Sequence, residues 1–174
     1  MRPLAYHITW GTYGNRLHGD PRGTVDRTHR KRGSPVLGLD RERLEKEKSL
    51  MKFPPVRFTR DQRLFIETNI PKICEHGLWT YHICAAAIDH IHMVVSSPSD
   101  PRDIRRLAKR WMGQELSLHY RLPEGATWWS EGGSVRTVKD DAYLQSALPY
   151  VARQRATSRD ERSREHLTAF ELLL

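Results

Sequence analysis

The feature that most limits how this chain can fold is a pair of strand-forming runs at its centre. WTYHICAAAI (residues 79–88) and HIHMVVSS (90–97) are separated only by Asp89, which leaves room for a tight turn and predicts a hairpin. A helix is expected on either side of it. Upstream, Thr59 and Gln62 form a T-x-x-Q capping box, and Phe65, Ile66, Ile70, Ile73 and Cys74 follow at helical spacing up to a stop at Gly77. Pro71 lacks an amide hydrogen and predicts a kink in this helix. Downstream, Asp100 can cap, Pro101 suits the first helical position, and Asp103 meets the positive end of the helix dipole. Ile104, Leu107, Trp111 and Leu118 supply the apolar stripe.

The outer elements complete the pattern. Leu4, Tyr6, Ile8 and Trp10 alternate with Ala5, His7 and Thr9, the period-two signature of a half-buried strand. SVRTV (134–138) reads as the last strand, and a final helix starting near Asp140 or Asp141 carries Leu144, Leu148, Val151 and Ala152. The order β-α-β-β-α-β plus a terminal helix predicts an α+β, ferredoxin-like fold: an antiparallel sheet with two helices on one face. A chain of 174 residues suits one domain, 1–174, with a long basic loop at about 11–55 that holds a short helix near residues 40 to 51.

Charge narrows the partner. Lys and Arg number 29 against 21 Asp and Glu, a formal net charge of +8, which favours a polyanion. No apolar run approaches the ~20 residues of a membrane-spanning helix, and MRPLAYHITW alternates rather than forming a signal core, so no membrane partner and a cytoplasmic location are expected. Cys74 and Cys84 lack metal-binding or C-x-x-C spacing and read as two buried thiols.

His90 and His92 fall on one face of a strand, about 7 Å apart along the chain. Two such imidazoles can chelate one cation, or can be polar residues on a solvated face. Tyr150 and Gln154 stand four apart, one helical turn. A tyrosine oxygen can attack phosphorus and conserve the bond energy in a covalent intermediate, and an amide can serve as a neutral metal ligand. Taken singly, the two read more simply as a partly buried aromatic and a surface amide. Tyr143, seven residues earlier on nearly the same face, is the competing nucleophile, but Ala147 stands where its amide would be.

Four segments occur in order over roughly the whole chain: AYHITWGTYGNRLHGDPRG, the HIH strand with its MVV continuation, WWSEGGSVR and YVARQ. Together they resemble the single-tyrosine HUH transposases, in the branch related to REP-associated tyrosine transposases. The resemblance implies that His90 and His92 hold Mg²⁺ or Mn²⁺, that Gln154 completes the site, and that Tyr150 attacks single-stranded DNA, leaving a 5′-phosphotyrosine and a free 3′-OH. It further implies hairpin-ended DNA as substrate, no nucleotide cofactor, and a homodimer or a monomer. Asp89 stands where the family often has Asn, and Pro149, directly before Tyr150, predicts that the tyrosine begins a separate helical segment. The alternative is a domesticated or inactive relative that only binds single-stranded or hairpin nucleic acid; a replication nickase is disfavoured by the small size and the lack of a helicase-like segment.

Arg102, Arg105, Arg106, Lys109 and Arg110 on the second helix predict a phosphate track, extended by Arg136 and Lys139 beside the last strand. Of Trp128 and Trp129, one is expected in the core and the other is open to stacking on a base. The GDPRG loop, near Arg16, His18 and Arg22, either contacts DNA or turns the chain.

Overall fold

The computed structural model of the chain describes residues 3–21 and 38–156. The element order is β1 (Ala5–Gly11), α1 (Arg41–Ser49), α2 (Arg60–His76), β2 (Thr80–Ala86), β3 (His90–Ser96), α3 (Pro101–His119), β4 (Ser134–Val138) and α4 (Asp141–Ala152). The strands form one sheet in the order β2-β3-β1-β4, every pair antiparallel, which is the ferredoxin-like arrangement. Helix α1 occupies the predicted long loop. Arg22 and the basic RTHRKRG stretch of that loop lie outside the described residues. Among the described residues no helix is long and apolar enough to cross a membrane.

The local signals act as their chemistry requires. Thr59 and Gln62 close the capping box of α2, Gly77 ends it, and Asp100 and Asp140 cap α3 and α4. Register then divides the strands between two faces. Tyr6, Ile8 and Trp10 pair with Val95, Met93 and Ile91, and this face packs against Ile66, Ile70 and Ile73 of α2 and Ile104, Ala108, Met112 and Leu116 of α3. On the opposite face Ala5, Ile83, Ala85, Val94 and Val138 pack against Leu144 and Val151, so α4 forms a third layer.

Two local expectations change, at Leu118 and at Pro149. Leu118 is 77% exposed, whereas Ala108, Met112 and Leu116 are buried. Positions spaced by four drift about 40° around a helix at each step, so the core face has turned away by residue 118. Helix α2 continues through Pro71, because the carbonyl of Glu67 that the proline leaves without a donor accepts a hydrogen bond from the Cys84 thiol at 3.6 Å. Helix α4 likewise continues through Pro149, where Gln145 and Pro149 are both exposed and water can take the freed carbonyl. Tyr150 therefore sits inside α4 rather than starting a separate segment.

Glu67 closes the outer edge of the sheet. Its carboxylate accepts from the backbone N–H of Ala86 at 2.9 Å and of Ala156 at 3.1 Å, while Arg155 Nε donates to the Cys84 carbonyl at 3.1 Å. Strand β2 is an edge strand, and these bonds occupy groups that would otherwise invite pairing. They also fix the chain just beyond α4. Glu67→Ala is expected to cost about 2–4 kcal/mol in urea unfolding, since hydrogen bonds to a charged group contribute ~1.5–3 kcal/mol each. Both cysteines are buried, and burial pushes the Cys74 thiol up to about 12 and the Cys84 thiol up to about 11, in line with two inert core thiols.

Candidate functional site

The face covered by α4 is apolar at one end only. Toward the hairpin turn, register brings His7, Thr9, His90 and His92 together on β1 and β3. His90 Nε2 and His92 Nε2 lie 3.0 Å apart. Each ring is held from behind through its other nitrogen: Asp89 Oδ1 is 2.6 Å from His90 Nδ1, and Thr9 Oγ1 and His7 Nε2 are each 3.1 Å from His92 Nδ1. A partner at Nδ1 fixes ring orientation and tautomer, and a carboxylate partner raises the basicity of the ligating nitrogen.

The pair fits a divalent cation. Ligands in adjacent positions of an octahedral shell with ~2.1 Å bonds lie about 3 Å apart, which is the separation of these two nitrogens. Among the described residues no cluster of three or more His, Cys, Asp or Glu side chains forms a metal site. His7 was not singled out by sequence reasoning. It is buried, and burial followed by the Arg136 guanidinium lowers its pKa, which keeps its imidazole neutral beside His92. The signal was its parity with Thr9 in the alternation of β1, which acquires meaning only once the β1–β3 register is known.

Tyr150 lies over this group. Its ring meets His92 edge-on at a centroid distance of 5.7 Å and His7 at 6.2 Å, and it remains 45% exposed. The tyrosine and the histidines line a cleft of about 730 Å³ together with Tyr143, Arg16, Arg136 and Arg153. No Asp or Glu is among the described residues lining it.

Gln154 is placed elsewhere. Helix α4 ends at Ala152 with Arg153 as its cap, and Gln154 falls in the following turn, where its backbone N–H bonds to the Val151 carbonyl at 2.8 Å. It does not line the cleft, so the helical spacing expected between Tyr150 and Gln154 is not realised. Arg153 lines the cleft instead.

The basic residues of α3 divide into two groups. Arg102, Arg106 and Arg110 are exposed, with Arg106 paired to Asp103 at 3.2 Å. Arg105 and Lys109 are partly buried and engaged elsewhere. Arg105 Nη1 donates to the Gly133 carbonyl at 2.7 Å, and Lys109 Nζ donates to the carbonyls of Ser130 at 2.7 Å and Gly132 at 3.1 Å. Burial, and then neighbouring positive charge, lowers the pKa of both. In the folded chain they hold the Ser130–Gly133 loop, whose Gly133 lines the cleft. Gly133 has φ +137°, and a Cβ there would lie 2.5 Å from the Thr9 carbonyl, so the loop can press against β1 only with glycine at this position.

Arg136 pairs with His7 in the β1–β4 register and lines the cleft, whereas Lys139 follows β4 as an exposed residue. Trp128 is buried against Phe58 and donates to Ser117 Oγ at 2.9 Å; Trp129 is partly buried and donates to the Lys109 carbonyl at 2.8 Å. Both indoles dock the loop onto α3. Lys109→Met is expected to cost about 1.5–3 kcal/mol in chemical denaturation. It should leave the salt dependence of single-strand binding unchanged, a quantity that a phosphate-contacting lysine would shift.

No family model matches the sequence, and no curated protein matches it. Solved structures do. The chain is similar to a REP-associated tyrosine transposase bound to a REP hairpin, at 9% identity and a TM-score of 0.46, over 88% of this chain and 67% of that one. It is also similar to a protein of Deinococcus radiodurans R1 assigned as a transposase, at 14% identity and a TM-score of 0.39, over 89% of this chain and 93% of that one.

Proposed function

We propose that residues 1–174 form one HUH-type transposase domain that cleaves and rejoins single-stranded or hairpin DNA through Tyr150, with Mg²⁺ or Mn²⁺ held by His90 and His92. The observation that carries this reading is the pair of Nε2 atoms 3.0 Å apart beneath a half-exposed tyrosine in a cleft whose described lining has no carboxylate. A nucleophile, a place for an electrophilic cation and a cationic surround for a phosphodiester occur together, as phosphoryl transfer requires.

In the reaction, Tyr150 Oη forms a bond to phosphorus as the P–O3′ bond breaks. The tyrosine proton passes to solvent, the departing 3′-oxygen takes one up, and the 5′-phosphate stays on the tyrosine. An incoming 3′-OH reverses the exchange and joins the strands, so bond energy is conserved and no nucleotide cofactor enters. A divalent cation held by His90 and His92 would polarise the phosphate and offset the charge that builds on its oxygens. Asp89, Thr9 and His7 hold the two rings through Nδ1 and leave Nε2 of each for the cation, and Arg136 and Arg153 offset phosphate charge from β4 and from the end of α4.

The test is a denaturing gel after incubation of the protein with Mn²⁺ and an oligonucleotide labelled at either end. A 3′-labelled strand should become covalently attached to protein, and a 5′-labelled strand should be released with a free 3′-OH. Retarded but uncleaved DNA under native conditions, with no adduct under denaturing ones, would instead establish the binding-only alternative.

A further inference from the structure

The turn after β1 holds a residue in a conformation that its side chain disfavours. Arg16 has φ +54°, in the left-handed region where Cβ crowds the backbone and where Gly or Asn sits more easily. The conformation is imposed by the surroundings. Asn15 Nδ2 donates to Thr12 Oγ1 at 2.8 Å and to the Val56 carbonyl at 2.6 Å, Tyr13 N–H donates to the Trp128 carbonyl at 3.0 Å, and Asp40 N–H donates to the Gly19 carbonyl at 3.1 Å. Strain of this kind persists only where neighbouring structure over-determines it, and it tends to mark functional positions.

The turn delivers an exposed guanidinium to the cleft that also holds His90, His92 and Tyr150. Arg136 and Arg153 already line that cleft, from β4 and from the end of α4. A third cation, on a different segment and with no carboxylate in the described lining to pair with, suits an anion that extends beyond one reacting phosphate.

We propose that Arg16 grips a backbone phosphate of the bound single strand, next to the phosphate that Tyr150 faces. This inference rests on the cleft being a single-strand site and is independent of the cleavage chemistry. The left-handed backbone is the means by which an arginine, rather than a stabler glycine, reaches that phosphate.

The experiment measures thermal unfolding and the salt dependence of binding to an unstructured single-stranded oligodeoxynucleotide, for the wild type and for Arg16→Gly, Arg16→Asn and Arg16→Lys. Arg16→Gly should raise the melting temperature by about 2–4 °C, as relief of ~1 kcal/mol does in a chain of this size. It should also weaken binding and flatten the slope of log affinity against log salt by about 0.7, the value of one phosphate contact on a single strand. Arg16→Asn should show the same change in slope, and Arg16→Lys should keep the wild-type slope. An unchanged slope in the Gly and Asn variants would overturn the proposal, as would a lowered melting temperature in Arg16→Gly. A wild type that binds the strand but forms no adduct would remove the cleavage mechanism and leave this contact standing. A wild type that does not bind the strand would remove both.

Discussion

Tyr150→Phe is expected to lower covalent adduct formation by at least about a thousandfold while changing single-strand affinity less than twofold, because it deletes the reacting oxygen and keeps the ring. The ring should hold its place, since its edge-on contacts with His92 at 5.7 Å and His7 at 6.2 Å involve no hydroxyl. Tyr143 is the control. It lines the same cleft from the preceding turns of α4, so Tyr143→Phe separates a nucleophile from a wall residue and should retain the adduct. Peptide mapping after nuclease trimming reads the answer directly: a nucleotide on Tyr143 would assign the chemistry to the other tyrosine.

His92→Ala carries the second large effect. It removes one of two nitrogens 3.0 Å apart and leaves His7 and Thr9 without their shared partner, so it should remove both cleavage and metal response. A ligand that binds only the folded state raises stability with the logarithm of one plus its concentration divided by Kd. Mn²⁺ should therefore raise the melting temperature of the wild type and leave that of His92→Ala unmoved, a readout that needs no DNA. Asp89→Asn keeps both ligands and loses the carboxylate behind His90, so it should weaken Mn²⁺ binding about 10–100-fold. Because imidazole is a softer donor than carboxylate, Mn²⁺ should support cleavage at least as well as Mg²⁺. Undiminished cleavage in EDTA would sink the metal assignment.

What could be read in the sequence was what local chemistry decides. The capping residues Thr59, Asp100 and Asp140 and the alternation of residues 4–10 act within a few positions of themselves, and the order of elements followed from them. What escaped was decided at long range. Helix α4 stops at Ala152, and Arg155 and Ala156 just beyond it are tied to Cys84 and Glu67, 71 and 89 positions away, so spacing alone placed Gln154 on a helix that had already ended. Arg105 and Lys109 looked like their neighbours on α3 because their partners are backbone carbonyls more than 20 residues downstream, which carry no mark in a sequence. His7 was visible as one member of an alternating run, yet its approach to His92 is a property of two strands in register.

The two-faced strands β1 and β3 also constrain how such a chain can vary over time. One parity of their residues builds the layer under α2 and α3, and the other supplies His7, Thr9, His90 and His92. Substitution can tune either set alone, so packing and chemistry can drift separately as long as the count of residues holds. An insertion or deletion of one residue would exchange the two sets at a stroke, turning imidazoles into the core and Ile8 or Ile91 toward the cleft. Descent by substitution is open along these strands and descent by length change is closed, so variation in length must be confined to the loops that join them.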